Sequence, residues 1–370
     1  MEIIGLVAEY NPFHNGHLYQ INKIKEKYPE SIIIVILNGY FSQRGELSII
    51  SKEDKTRICL ENGIDIVIEL PFIYGTQASD IFAFNSIKLL NELKINRLIF
   101  GSESDDISLL NKIVDIQLYD EEYEEMVHEY MDQGYNYPTA MAKALNIDFD
   151  FSNPNDLLGI SYIKAIRKIN SDIKVETIKR TSDYHGSESD SEIISASNIR
   201  DKIKNNKAID KYVPNGILER IIDIDYRNIF TLLKFKLLTD KDLSVYLDVD
   251  EGIEYRIMKY VNQSNNWEEL VNNIKTKRYT YNKINRMLIH ILIGLTKEDN
   301  LNTKLDYLKI LGFNTSGRDY LNSIKKDMEL SLNKDSIIYK YELLASSIYK
   351  EITKIDCYSF DLSNRPIQKD

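Results

Sequence analysis

Four short apolar runs in the first hundred residues constrain this chain more than any other feature: "IIGLVA" (3–8), "SIIIVIL" (31–37), "IDIVIEL" (64–70) and "NRLIF" (96–100). They are rich in β-branched residues and lack polar alternation, the pattern of strands covered on both faces. Between them, "GHLYQINKIKEKY" (16–28), "SKEDKTRICLENG" (51–63) and "SDIFAFNSIKLLNEL" (79–93) read as helices, with Gly63 after Asn62 suited to a helix stop. This alternation predicts an α/β fold with a Rossmann-like, doubly wound parallel sheet, which places ligands outside the carboxyl ends of its strands. Residues 106–170 read as mostly helical, "DIKVETIKR" (172–180) as a fifth strand, and "IISASNIRDKIK" (193–204) as a helix capped by Ser195 or Ser197.

From about residue 210 the texture changes to leucine- and lysine-rich helical periodicity with few strand signals. The expected organisation is a catalytic domain over 1–208 and a mainly α-helical C-terminal domain over 209–370. Charge follows the same division. The net charge is −10, but residues 1–200 hold 19 Lys+Arg against 32 Asp+Glu, and residues 201–370 hold 28 against 25. A polyanionic partner therefore has to meet the second part, or a local patch. No apolar run approaches the roughly 20 residues of a membrane span, and "MEIIGLVAEY" lacks the basic start of a signal peptide, so a cytoplasmic location without membrane contact is expected. Cys59 and Cys357 are too few for a disulfide framework or a thiolate zinc site.

The first strand runs into "EYNPFHNGHLYQ" (9–20), where two of the five histidines stand three residues apart. A strand, a Pro-containing turn and HxGH opening a helix form an arrangement for handling phosphate. The helix start supplies unpaired N–H groups, Gly16 permits close approach, and His14 and His17 can face one anion. A metal fits less well, because no third ligand stands at suitable spacing; His14 packed under a loop is the bland alternative. The second element is "SASNIR" (195–200), whose serines and Arg200 suit the β- and γ-phosphates of a nucleoside triphosphate, although an ordinary cap followed by a surface arginine has the same pattern. There is no GxxxxGK[ST] loop.

HxGH after a first strand, with a later S-x-S-x-I-R helix start, resembles the nucleotidyltransferase superfamily. A longer series, "GLVAEYNPFHNGHLYQ" (5–20), "NGYFSQRGE" (38–46), "GIDIVIELPFIYGTQASDIFA" (63–83), "FGSES" (100–104), "NPNDLLGISYIKAI" (153–166), "IKR" (178–180), "KTKRYTYNKINRMLIHIL" (275–292) and "KILGFNTSGRDYL" (309–321), resembles the tRNA(Met) cytidine acetate ligase family across nearly the whole chain. The resemblance implies a ligase reaction in two steps. Acetate attacks the α-phosphate of ATP, giving acetyl-adenylate and pyrophosphate. The exocyclic amine of the wobble cytidine of elongator tRNA(Met) then takes the acetyl group, giving N4-acetylcytidine and AMP. It implies ATP contacts from Val7, Ala8, Glu9, Tyr10, Asn11, Pro12, Phe13, His14, Asn15, Gly16, His17, Leu18, Tyr19 and Gln20, joined by Gly101, Asn155 and Arg180. His14 and His17 are assigned to the α-phosphate as catalytic residues, and Ser195, Ser197 and Arg200 to the pyrophosphate end. Mg²⁺ accompanies ATP, held mostly by phosphates and water, with no protein metal site and no stable protein partner implied.

Each carried-over residue also has a plain reading. Gly101 suits a turn, Asn155 after Pro154 a helix cap, and Arg180 a surface charge. Gln43 and Arg44 in "QRGE" face substrate or belong to an ordinary loop; Lys52 and Arg57 read as a solvated helix face. Two departures from the family pattern stand out: Glu46 where a proline is usual, and Glu53 where a tryptophan is usual.

The RNA side is expected over 271–296, where Lys275, Lys277, Arg278, Lys283 and Arg286 meet no acidic residue and Tyr279 and Tyr281 lie among them. An amphipathic helix with a solvated basic face is the alternative. His290 reads as buried structure, His128 as a surface residue and His185 as a secondary phosphate contact. Two other functions fit parts of the pattern. A small-molecule adenylyltransferase or cytidylyltransferase accounts for HxGH and SASNIR but not for the basic helical half; a non-catalytic RNA-binding protein needs no such histidine pair.

Overall fold

The computed structural model describes residues 1–135, 137–147, 149–180, 192–276 and 278–370. The five expected strands are present: β1 (Ile3–Ala8), β2 (Ile32–Asn38), β3 (Ile66–Leu70), β4 (Arg97–Ser102) and β5 (Lys174–Lys179). They lie parallel in the order β5-β4-β1-β2-β3. Every residue of β2 and β3 is buried, which is why these runs carry no polar alternation. The chain order reverses between β1 and β4, so the crevice above the carboxyl end of β1 is the switch point where such sheets bind ligands.

The sheet does not stop at the first half. β6 (Ile310–Asn314) pairs antiparallel with β3, and β7 (Ile367–Lys369) pairs parallel with β6, making seven strands. The region expected to be helical therefore supplies one edge of the sheet. Both strands are too short, at five and three residues, to show a period. The helices Tyr226–Thr239, Ile253–Val261, Trp267–Ile274 and Tyr281–Ile293 pack on one another, and the Ile337–Thr353 helix joins them to the short helix Phe72–Gly75 that follows β3. No helix among the described residues is long and apolar enough to cross a membrane.

A buried charge cluster fastens the two halves together. Lys52, read from sequence as a solvated face, is fully buried; only Arg57 of that pair is exposed, where it meets Glu53. Lys52 Nζ meets Glu69 of β3, Asp361 at 2.7 Å and Glu342 at 3.2 Å, while Lys309 meets Asp361 at 2.7 Å. Tyr307 and Tyr40 donate to Glu69 and Asp361 at 2.8 and 2.6 Å. Sequence shows one lysine on a helix; its partners lie far along the chain and become visible only in the fold.

Candidate active site

A cleft of about 650 Å³ opens above the carboxyl ends of β1, β4 and β5. β1 ends in a sharp turn at Tyr10 (φ +47), and the helix Asn15–Lys27 begins immediately after it, with His14 as its N-cap. The two histidines cap each other's turn. His14 Nδ1 accepts the Gly16 N–H at 3.0 Å, and His17 Nδ1 accepts the His14 N–H at 3.2 Å. Their rings stack with centroids 3.7 Å apart, and Tyr10 packs edge-on against His17 at 4.7 Å. Because each Nδ1 is an acceptor, the neutral ring carries its proton on Nε2. Burial, and then the Arg180 guanidinium, push His14 down to about 3. His17 lies well below the usual imidazole range through burial, His14 and Arg180. The outcome is two neutral imidazoles side by side, each with an N–H to offer an anion. Gly16 is required for a different reason than ligand approach: a Cβ there would stand 2.8 Å from His14 Cε1 and break the cap.

The cleft gathers most of the residues expected at a nucleotide site. Val7, Ala8, Glu9, Tyr10, Asn11, His14, Gly16, His17, Tyr19, Gln20, Gly101, Asn155, Arg180, Ser197 and Arg200 line it. Five expected contacts do not. Phe13 is fully buried beneath His17, and Asn15 donates to the Glu192 and Lys211 carbonyls. Pro12 and Leu18 do not reach the cleft wall. Ser195 caps the helix Ala196–Lys204 through Asn198 N–H and meets the Ser197 hydroxyl at 2.9 Å, leaving Ser197 to face the cleft. Asn155 binds Glu103, and Arg180 Nε lies 3.7 Å from the same carboxylate. A Cβ at Gly101 would stand 3.3 Å from Arg180 Cγ, so the glycine also makes room for that arginine.

Several residues that shape the site escaped sequence reading. Lys55, fully buried, donates to the carbonyls of Glu9, Asn38 and Gly39 at 3.1, 2.6 and 2.5 Å, tying the ends of β1 and β2 together; burial draws its ammonium down to about 7. Asp156 accepts from the Glu103 and Ser104 N–H groups and fixes the loop after β4. Asn11, itself expected at the site, has a second role that sequence did not show: it clamps the 47–49 segment, with Nδ2 on the Leu47 carbonyl and Oδ1 on the Ile49 N–H. The signal for Asp156 was its place in "NPND"; for Lys55 there was none.

Arg200 is engaged on both arms, by the Asn11 carbonyl at 2.7 Å and by Glu46 at 2.6 Å. The departure at position 46 thus places a carboxylate on the arginine assigned to pyrophosphate. Glu46→Gln is expected to lower the KM for ATP by about two- to fivefold, the size of a partly exposed ion pair. A raised KM in a pyrophosphate-release assay would instead make Glu46 the group that orients Arg200.

On the RNA side the fold separates the expected residues. Lys275 and Arg278 are exposed, Arg278 pairing with Glu251 at 2.9 Å. Lys283 lies 4.2 Å over the Tyr279 ring. Tyr279 is 4% exposed, with its hydroxyl on the Asp250 carbonyl at 2.6 Å, so it is not available to stack on a base. Arg286 turns into the cleft rather than toward the surface. Gly45 explains that approach: at φ +78 it packs so closely that a Cβ would stand 2.7 Å from Arg286 N. His290 is fully buried, its Nε2 2.8 Å from the Thr76 carbonyl. Lys277 and His185 lie outside the described residues.

A model of the HIGH nucleotidyl transferase family matches residues 1–364. The tRNA(Met) cytidine acetate ligase of Caldicellulosiruptor saccharolyticus is 37% identical, the match covering 92% of this chain and 89% of that protein; the enzyme of the same name from Fusobacterium nucleatum is 36% identical over 94% and 95%. The chain belongs to the tRNA(Met) cytidine acetate ligase family. Its fold agrees: a crystal structure of Thermotoga maritima TmcAL bound with alpha-thio ATP superposes with a TM-score of 0.89 at 28% identity, covering 100% of this chain and 99% of that one. An apo structure of the same protein gives 0.90.

Proposed function

We propose that this chain activates acetate with ATP in the cleft above β1 and transfers the acetyl group to the wobble cytidine of elongator tRNA(Met). The observation that carries this reading is the stacked, neutral His14–His17 pair, whose Nε2–H groups suit the non-bridging oxygens of an α-phosphate gaining charge under attack. Gly101, Asn155 and Arg180 then serve the nucleoside side and Ser197 with Arg200 the pyrophosphate. The alpha-thio ATP in the Thermotoga maritima relative supports the nucleotide assignment. Mg²⁺ would accompany the triphosphate and neutralise part of its charge. The carboxylates on the cleft wall, Glu9 and Glu46, are committed to the Gln43 N–H and to Arg200, an arrangement that leaves the ion to phosphate and water ligands.

In this division of labour residues 1–208 carry the adenylate chemistry and 209–370 hold the RNA, with Lys275, Arg278 and Lys283 as the exposed or half-exposed cations. The test is incubation of the protein with ATP, Mg²⁺, labelled acetate and an unmodified elongator tRNA(Met) transcript. Label should appear on the wobble cytidine, with one AMP and one pyrophosphate per acetyl transferred. Lys275→Ala/Arg278→Ala should weaken transfer and flatten its salt dependence by about two phosphate contacts, while pyrophosphate release without tRNA continues. ATP cleavage indifferent to acetate and tRNA would return the chain to the small-molecule transferases.

A further inference from the structure

Arg286 is a cation that the reaction above does not use. It enters the cleft from the Tyr281–Ile293 helix, and its Nε is buried without a hydrogen-bond partner among the described residues. Asp248 and Asp80 attract it, but no ion pair with it forms among those residues. A half-buried guanidinium whose Nε finds no partner, at the wall of a cleft, is suited to an anion.

The topology says which anion. The nucleoside residues Gly101 and Arg180 stand over β4 and β5, and HxGH stands at the end of β1. Arg286 comes in on the other side, behind the Gly45 loop that follows β2; Ala78 and Phe82, which follow β3, line the same cleft. The pyrophosphate end already has Ser197 and Arg200 to meet it, and the α-phosphate the histidine pair. Acetate is the remaining small anion of the reaction, the one that must enter this cleft beside ATP, and two neutral histidines give it no counter-charge. We propose that Arg286 binds the carboxylate of acetate, with Ala78 and Phe82 against its methyl group.

The inference rests on the acetate–ATP reaction proposed above. With one carboxylate oxygen at the guanidinium, the other forms the new bond to the α-phosphorus. The bond from that phosphorus to the bridging oxygen of pyrophosphate breaks, and its electron pair leaves with pyrophosphate. No further reactant is needed.

The experiment is acetate-dependent exchange of labelled pyrophosphate into ATP, without tRNA, on the full-length protein and its Arg286→Gln and Arg286→Lys variants. Arg286→Gln should raise the KM for acetate about tenfold or more, as loss of a charged hydrogen bond does, with the KM for ATP within about twofold of wild type. Arg286→Lys, which keeps the charge but loses the fork, should fall between, and it carries the test alone if the glutamine variant does not fold. An unchanged acetate KM overturns the proposal. A shift confined to ATP would then make Arg286 a phosphate ligand, and one confined to tRNA in the transfer assay an RNA contact. Exchange by the wild type that ignores acetate overturns the underlying reaction itself, an outcome distinct from failure of the variants.

Discussion

Replacing His17 by alanine will lower acetate-dependent pyrophosphate release by about 10²- to 10³-fold, the loss typical of removing one donor aimed at developing charge. The expectation follows from how the ring is held. Its Nδ1 is occupied by the His14 N–H, its face by His14 and its edge by Tyr10, so Nε2–H has one direction left and no reorganisation to make. His17→Asn, which keeps a donor, should lose less than alanine. Neutral imidazoles also fix the pH dependence. With His14 near 3 and His17 well below the usual imidazole value, neither ring should give the rate an inflection around pH 6.5; a step near 7 belongs to Lys55 and should vanish in Lys55→Met. A fall in rate as pH rises through 6.5 that persists in Lys55→Met would mean that a charged imidazole does the work. A loss of less than about fivefold in His17→Ala would remove the pair from catalysis.

Replacing Lys52 by methionine should cost about 3–5 kcal/mol of stability, because it leaves Glu69, Glu342 and Asp361 buried with Lys309 as their remaining cation. With three carboxylates and two ammonium groups, the wild-type cluster balances only if one acid keeps its proton. Burial and the Glu69 charge raise Glu342 to about 8, which makes it that acid. The sign follows. A carboxyl raised in the fold contributes stability that is complete below its ordinary value near 4.5 and is lost as pH rises through about 8. Thermal unfolding followed from pH 6 to 9 should therefore show the wild-type Tm falling and Glu342→Gln, which keeps a neutral side chain of the same shape, falling much less. Equal slopes for the two proteins would place the charge balance elsewhere.

What the sequence disclosed and what it hid divides along a physical line. The strands β1 to β4 were legible because burial leaves each a largely apolar run, while β5, a half-exposed edge strand, showed only as the short stretch "KVETIK"; the HxGH turn was legible because a strand end, a glycine and two histidines fall within a few residues. Local signals of that kind need no partner. Arg286 shares a basic stretch with Lys275 and Arg278, yet its backbone packs against Gly45, far away in sequence, and its side chain lines the cleft. Tyr279 belonged to a basic, aromatic stretch that suggested stacking, and the fold uses its hydroxyl to hold the Asp250 carbonyl. Lys52 was misread for the same reason: an amphipathic pattern shows which residues share a face, not whether charges on another element cover it.

The pairing of β3 with β6 has a consequence for how the enzyme comes into being. Those two strands belong to opposite halves of the chain, and the Lys52 cluster closes over the same seam. Contacts between such distant segments close the largest loops and form slowly. The β1 turn and its histidines can assemble from local sequence early, but the wall carrying Gly45 and Arg286 waits for the second half to dock. Folding that follows loop size would complete the nucleotide crevice before the wall that carries Arg286.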